Sequence, residues 1–369
     1  MAGSYEALIV GGGIVGAACA YELARAGLRV AIVEERGIAR GATNAGMGHL
    51  VVLDDSEAQF ALSRYSLELW RELAPDLPAD CDYWQCGTVW VAANEEELRL
   101  ARQKLESYTR GGVEAELVDA RQLLALEPNL REGLAGGLLV PGDATAHPAS
   151  AARFLVERSG AQVIANRVVE VLDGEVRLSG GASVTAGVIV NATGTAAALL
   201  TPGLPVRARK GHIVVADPGP NFAGHQVVEL GYVKSTHAEE GDSVAFNVRQ
   251  NHNGELLIGS SRQYDADDPN IEPAVIDRML ARAFEYMPAL ARAPQLRSWT
   301  GFRAGTPDGL PLIGRCPGFN NVFVATGHEG LGATTSLATA RLIADQILGR
   351  ASAIDAAPFR PLRFKLETM

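Results

Sequence analysis

The run Gly11-Gly12-Gly13-Ile14-Val15-Gly16 has the GxGxxG spacing of a dinucleotide-binding turn. In such a turn Gly11 permits a tight bend, Gly13 lets a pyrophosphate approach the backbone, and Gly16 lets a helix pack against a strand. The phosphate charge then sits at the helix N-terminus, where the free amides around Ile14 and Val15 and the helix dipole favour it. Glu34, with Glu35 beside it, follows at the end of the next apolar run and is placed to accept hydrogen bonds from ribose hydroxyls. The small-residue segment Gly41 to Gly48 comes next, containing Ala42, Thr43, Ala45, Gly46 and Met47. Two further glycine sites follow strand-like runs, at Ala192-Thr193-Gly194 and at Gly327 to Gly332. Contacts from the start, middle and end of the chain suit a long, folded FAD better than NAD.

These residues need particular elements to hold them. Ala7 to Val10 reads as a strand, Ile14 to Ala26 as an amphipathic helix stopped by Gly27, and Arg29 to Val33 as a second strand, which together make a βαβ unit. Helical patterns follow at Asp54–Leu73 and Glu95–Tyr108, with a third starting at Asp119 and a fourth spanning Ala149–Ser159. The acids Asp54, Asp55 and Glu57 fit the first turn of the helix they open. Tyr83–Ala93 alternates like a strand, and Val184–Val190 is a buried strand. The stretch from Arg207 to about Arg297 alternates in several places, including His212–Ala216, Ser243–Val248 and Glu255–Ile258. Buried strand Val322–Ala325, the glycine turn and a helix Ala333–Leu348 close the chain.

The bulk composition narrows the function. The 369 residues are 47 % hydrophobic and 21 % charged, as in a folded globular protein of two domains or one two-lobed unit. A net charge of −10 with no basic stripe argues against nucleic acid and anionic membranes as partners. No apolar run approaches the ~20 residues that span a bilayer, and the N-terminal apolar stretch has no basic residues before it. A cytoplasmic protein is expected. Cys19, Cys81, Cys86 and Cys316 lack a zinc-ligand spacing and read as free thiols, so no metal is expected.

The chain resembles the D-amino acid oxidase superfamily, in particular its glycine oxidase and sarcosine oxidase branch. The resemblance runs nearly end to end and rests on GGGIVG, GATNAGMG, VIVNATG, WTGFRAGTPDGLPLIGR and VFVATGHEGLGATTS. Within the branch, GHLVVLDDSEAQFALSRYS and ATGHEGLGATTSLATA are most similar to the FAD-bearing β-subunits of opine oxidases and to D-hydroxyproline dehydrogenases.

The resemblance implies roles for particular residues. Gly11, Gly13 and Gly16 would hold the pyrophosphate, Glu34 the adenosine ribose, and the backbone of Val168 the adenine. Ala45 to Gly48 would lie beside the isoalloxazine. Gly330, Leu331, Gly332, Ala333 and Thr334 would bring amides and a helix dipole to the flavin N1–C2=O edge. Arg303 would grip the substrate carboxylate, and the planar guanidinium suits that task because it binds a carboxylate bidentately and fixes its orientation. Orientation is what the reaction needs, since the Cα–H must point at flavin N5. The alternative for Arg303 is a structural salt bridge with Asp308 or another acid. His49 and His328 are candidates to tune the flavin or receive a proton, or else are structural histidines. Tyr232, Phe246, Arg249 and His252 would roof the substrate, Phe246 standing where glycine oxidases carry an active-site tyrosine. Sarcosine oxidases hold flavin through a cysteine just upstream of the Arg303 position. Here that stretch is Arg297-Ser298-Trp299-Thr300-Gly301, and Cys316 sits in a surface-like turn beyond it, which implies non-covalent FAD.

The expected fold is therefore α/β: a Rossmann-like FAD domain of the glutathione-reductase type, with a second domain of mixed β-sheet plus helices for substrate. Residues 1–80, 141–205 and 300–369 would form the first, and 81–140 and 206–299 the second. The expected reaction is FAD-dependent oxidation of the C–N bond of a small amino or imino acid to an imine, with D-hydroxyproline first and an opine second. Three alternatives stay open: an NAD-dependent dehydrogenase, a tRNA-modifying flavoprotein, and a chain active only with partner subunits that carry electrons onward.

Overall fold

The computed structural model describes residues 5–231, 242–264 and 268–364. The opening residues fold as their pattern dictates. Strand Tyr5–Val10 runs into Gly11, whose φ of 104° lies in the left-handed region that glycine tolerates, and helix Ile14–Arg25 begins three residues later. A Cβ on Gly16 would stand 2.0 Å from the Gly11 carbonyl oxygen, so strand and helix approach too closely for any side chain there. The helix is not amphipathic as its pattern predicts. Nine of its residues are buried, from Ile14 through Leu23, because the C-terminal helix Gly332–Leu348 and helix Pro148–Ser159 both pack on it.

One sheet carries this unit. Its strands lie in the order Leu312–Arg315, Val322–Thr326, Ser183–Asn191, Tyr5–Val10, Val30–Glu34 and Gln162–Ala165. The last five are parallel neighbours, so Thr326, Asn191, Val10, Glu34 and Ala165 gather at one edge. Ligands of open parallel sheets bind outside that carboxyl edge. A hairpin of Val168–Leu172 and Glu175–Leu178 extends Ser183–Asn191 on the antiparallel side.

A second sheet of eight strands runs Gln295–Gly305, Arg207–Ala216, Leu256–Arg262, Ser243–Gln250, Gln226–Glu229, Thr88–Ala92, Gly136–Val140 and Glu116–Asp119. It is mixed, because Gln226–Glu229 pairs parallel to Thr88–Ala92 while its other pairings are antiparallel. Helix Pro273–Tyr286 packs on the strands Ser243–Gln250 and Leu256–Arg262 and closes a core around Val227, Phe246, Val248 and Ile258. The longest strand, Gln295–Gly305, is in a stretch whose sequence carries no clear alternation, and it crosses residue 300 wholly within this sheet.

Several local expectations are corrected. The helix after Asp54 starts at Glu57, with the Ser56 hydroxyl accepting from Gln59 N–H at 3.1 Å. Asp54 is instead ion-paired with the buried Lys104, so a tertiary partner takes it out of the helix turn. The stretch Tyr83–Gly87 is irregular before strand Thr88–Ala92 begins. Cys316 is 2 % exposed, packed among Leu312, Val322 and Val324 rather than in a surface turn. All four cysteines are free.

A two-residue antiparallel ladder, His49–Leu50 with Ala144–Thr145, fixes the segment that follows Gly48. Gly48 has φ 83°, and a Cβ there would meet the Ala146 carbonyl oxygen at 1.9 Å. Gly48→Ala is expected to lower the unfolding free energy by at least about 2 kcal/mol, from strain plus a backbone clash. Urea denaturation of the variant against wild type measures this, and an unchanged midpoint would mean that the segment does not hold this conformation.

Candidate active site

The carboxyl edge of the first sheet and one face of the second enclose a cavity of about 620 Å³. At one end it is lined by Glu34, Glu35, Arg36, Asn166 and Val168, in its middle by Gly11, Gly13, Thr43 and Ala192, and at the other end by Met47, His49, Asn247 and Arg303. The middle is backbone. A Cβ on Gly11 would lie 2.7 Å from the Ala192 oxygen, so glycine lets the first strand and the turn after Asn191 meet here. Thr43 Oγ1 accepts from the Ile14 N–H at 2.9 Å, at the start of the buried helix. Glu34 accepts N–H bonds from Gly12 and Arg36, each at 2.8 Å, which points its carboxylate at the turn. An elongated cradle with a helix N-terminus at its waist and a carboxylate at one end fits a dinucleotide.

At the far end the second sheet supplies the wall. The side chain of Arg303 crosses the neighbouring strand at Gly211, where an added Cβ would meet the guanidinium at 2.4 Å, and its Nη1 donates to the Ser261 carbonyl at 2.8 Å. Glycine at 211 is what lets this arginine lie flat across the sheet and line the cavity. Asp308 is held by Arg363 instead, at 2.7 Å from Nε and 2.9 Å from Nη2.

Most of the sequence-predicted residues come together on this surface: Gly11, Gly13, Ile14, Val15, Glu34, Glu35, Ala42, Thr43, Ala45 to His49, Val168, Ala192, Thr193, Gly194, Arg303, His328, Gly330, Gly332 and Ala333. Others do not. Gly16 packs strand against helix without reaching the cavity, and Leu331 is not on its wall. Thr334 is buried behind it, its hydroxyl donating to the His49 carbonyl at 2.9 Å. Phe246 points the opposite way, stacked on Tyr286 with ring centroids 4.6 Å apart in the core under helix Pro273–Tyr286. Its neighbour Asn247 faces the cavity, because successive strand residues face opposite sides. Arg249 is buried but is not on the cavity wall, and burial pulls its guanidinium down to about 10. His252 is outside, paired with Asp82 at 2.5 Å and packed on Trp84. Tyr232 lies outside the described residues.

The two candidate histidines differ. His328 contributes to the wall, but its Nε2 meets Thr339 Oγ1 at 3.0 Å, and burial pushes its pKa down to about 3. It is a neutral ring anchored to the C-terminal helix. His49 is also held neutral, at about 4, by burial first and then by the charge of Arg249. Its Nδ1 pairs with Gln226 Oε1, and the Asn247 side chain also hydrogen-bonds the ring, both acting against the downward shift. Sequence reasoning missed Asn247, Ser260, Ile213, Gly211 and Gln226. Alternation along their strands signals which face each shares, but not which face meets the cofactor.

A family model described as FAD dependent oxidoreductase, DAO, matches residues 6–346. The chain belongs to the DAO family of FAD-dependent oxidoreductases. It is 30 % identical to a glycine oxidase of Geobacillus kaustophilus, over 96 % of each chain. It is 28 % identical to one of the subunits of an opine oxidase from Rhizobium meliloti, again over 96 % of each. The crystal structure of glycine oxidase from Geobacillus kaustophilus superposes with a TM-score of 0.88 at 28 % identity, covering 98 % of this chain and 99 % of that one. The α/β fold and the FAD dependence expected from sequence thus hold, and the nicotinamide alternative falls. The enzyme is of the amino acid oxidase and dehydrogenase kind. Among the described residues no helix is long and apolar enough to cross a membrane.

Burial of the two neutral histidines has a pH consequence. Each has a folded pKa below the ordinary value of 6.5, so between about pH 4 and 6.5 the folded chain binds fewer protons at them than the unfolded chain. Stability from these groups is full above 6.5 and is lost as pH falls. Asp143, raised by burial to about 7, and Asp345, also raised by burial, act in the opposite sense, but His147 and His212 are lowered by burial as well, so the lowered histidines outnumber the raised carboxyls by four to two. The thermal midpoint is expected to fall from pH 6.5 to 4.5, and to fall less steeply in His328→Gln. A midpoint flat across this range, or an unchanged slope in the variant, would show that the rings are not buried neutral.

Proposed function

We propose that this enzyme oxidises the C–N bond of a small amino or imino acid, with D-hydroxyproline or a D-proline-like acid as first choice and an opine as second. The observation that supports it most is Arg303, laid across Gly211 so that its guanidinium lines the cavity end opposite Glu34. A half-buried planar cation is a bidentate seat for a carboxylate, and it fixes the α-carbon beside it. In this reading Glu34, Thr43, the start of the helix at Ile14 and Val15 and the backbone of Gly11, Gly13 and Ala192 hold FAD, whose place is argued from the glycine cradle and the helix N-terminus. Ala45 to Gly48 and Gly330 to Ala333 leave room for the ring system because their side chains are mostly small. When bound, FAD supplies the two-electron acceptor for the hydride leaving the α-carbon. The chain's own part is to bind, orient and exclude water, and the C=N product hydrolyses in solvent.

The same reading assigns residues 1–80, 141–205 and 306–369 to the cofactor domain and 81–140 and 206–305 to the substrate domain, the expected boundary at 300 moving because strand Gln295–Gly305 pairs wholly within the second sheet. FAD is held without a covalent bond, because Cys316 is buried in the core of the first sheet and the stretch before Arg303 has no cysteine. The kinship with an opine oxidase subunit supports a second possibility for assembly: a partner subunit that carries electrons onward.

Anaerobic titration of the purified holoenzyme with D-hydroxyproline, D-proline, sarcosine, glycine and opines tests the reading. One of them is expected to bleach the flavin band, and a yellow protein that none bleaches would sink it for the isolated chain. Acid precipitation is expected to leave the flavin in the supernatant. Arg303→Leu is expected to lower kcat/KM about a hundredfold or more, the equivalent of ~3 kcal/mol of charge-assisted hydrogen bonding, and Arg303→Lys to recover only part of it. Steady-state kinetics on the bleaching substrate decides this, and a KM unchanged in Arg303→Leu would remove the carboxylate role.

A further inference from the structure

Arg303 is not the only cation at its end of the second sheet. Arg209 stands opposite it in the ladder between strands Arg207–Ala216 and Gln295–Gly305, and the two side chains part. Arg303 crosses Gly211 toward Ser261. Arg209 crosses the other way over Gly305, where an added Cβ would lie 2.9 Å from its Nε. It ends on Glu329, with Nη1 donating to Oε2 at 2.6 Å. Arg262 comes to the same carboxylate, its Nε 3.2 Å from Oε1. Each of these three side chains is less than a fifth exposed.

Glu329 belongs to the C-terminal glycine loop and lines the cavity with Gly330 and Arg303. Its φ is 51°, in the left-handed region, where a side chain is strained and glycine is not. A glutamate among glycines therefore keeps a backbone that glycine would take more easily, and its carboxylate bridges two guanidinium groups. The next residue brings this loop against the substrate seat, since a Cβ on Gly330 would stand 3.6 Å from Arg303 Nε. Charge in such a partly desolvated place is felt by a ligand more strongly than in water. Glu329 offsets one unit of the positive charge that Arg209 and Arg262 bring there.

We propose that Glu329 is a specificity-determining residue: by offsetting arginine charge beside Arg303, it sets the substrate end for one carboxylate and against an imino dicarboxylate. The inference rests on the amino acid reading of the site and deepens it. It selects a proline-like monocarboxylate over an opine, whose secondary amine carries two carboxylated carbons. Without the glutamate the local charge moves one unit positive, and a second carboxylate on the ligand gains an attraction that the wild-type site does not offer.

Pyrrole-2-carboxylate and pyrrole-2,5-dicarboxylate differ by one carboxylate and have no sp³ α-carbon to oxidise, so they test the proposal by binding alone. Both are titrated into the holoenzyme and followed by the flavin spectrum and by calorimetry. Wild type is expected to bind the monocarboxylate more tightly. Glu329→Gln is expected to raise the relative affinity for the dicarboxylate about tenfold, the worth of one charge at roughly 10 Å with an effective dielectric of about 20. Glu329→Asp keeps the charge and is expected to keep the wild-type ratio, which separates charge from shape. Arg209→Met added to Glu329→Gln is expected to remove the gain. Should Glu329→Gln not fold, Glu329→Gly suits the left-handed backbone and makes the same test. A wild type that binds the dicarboxylate as tightly would overturn the proposal. So would a ratio unmoved by Glu329→Gln, or moved equally by Glu329→Asp. An enzyme bleached by opines as readily as by monocarboxylic acids keeps the amino acid reading and loses this inference. A protein whose ring preference follows the charge at 329 but which no amino acid bleaches keeps the inference about charge and loses that reading. Failure of both rings to bind wild type and variants would remove both.

Discussion

The approach of Gly16 to the carbonyl of Gly11 is the constraint on which the rest of the structure depends. With no side chain between them, helix Ile14–Arg25 starts directly on the end of the first strand, and its first residues Ile14 and Val15 line the cavity. The helix cannot tilt away, since the C-terminal helix and helix Pro148–Ser159 bury it from two more sides. Those helices are in turn tied to distant segments. Trp70 Nε1 donates to the Ala333 carbonyl at 3.1 Å, and Ala338 N–H to Ser66 Oγ at 3.2 Å. Buried Glu22 pairs with Arg341 at 3.0 Å across the helix–helix contact. One backbone contact near the N-terminus thereby requires the last helix of the chain to arrive at the same place.

The second sheet meets this frame with a face whose polarity changes from strand to strand. Its outer strand supplies a cation, Arg303, and its neighbour supplies Gly211, which leaves the space that the guanidinium fills. Further along come Asn247 and, behind the ladder of His49 with Thr145, Gln226. The opposite face of the same strands is apolar and packs under helix Pro273–Tyr286 through Phe246, Val248 and Ile258. Alternation therefore does double duty: one set of residues stabilises the sheet and the interleaved set is free to be polar.

This division explains what could be read from the sequence. The βαβ unit was legible because glycine spacing, helix period and an acid at a strand end all agree over one short stretch. Capping was legible at Asp119, whose carboxylate takes the Gln122 N–H at 2.8 Å. Phe246 misled because resemblance places a residue along a strand, whereas a shift of one position changes the face it is on. Here Phe246 fills the core beside Tyr286 and Asn247 faces the cavity. Asp54 misled because the buried Lys104, fifty residues away, outweighs the helix turn that local pattern favours. Cys316 misled because its Arg-Cys-Pro-Gly context reads as surface, while the strand hairpin of Leu312–Arg315 and Val322–Thr326 folds it inward. The partnership of His49 with Gln226, 177 residues apart, has no local signature at all.

That last pairing shows how the core of one sheet reaches the chemistry at the cavity. Gln226 is a core residue by burial, and its amide is oriented by the Ala144 carbonyl. Ala144 belongs to the two-residue ladder that also holds His49, so the ring and the group that sets its tautomer are fixed by the same short piece of backbone. Arg249 lies close by with its guanidinium desolvated, and its charge disfavours a proton on the ring. Two independent effects, a fixed hydrogen-bond acceptor at Nδ1 and a buried cation nearby, therefore act on one imidazole. The first decides which nitrogen keeps its hydrogen, and the second disfavours a further proton on the ring.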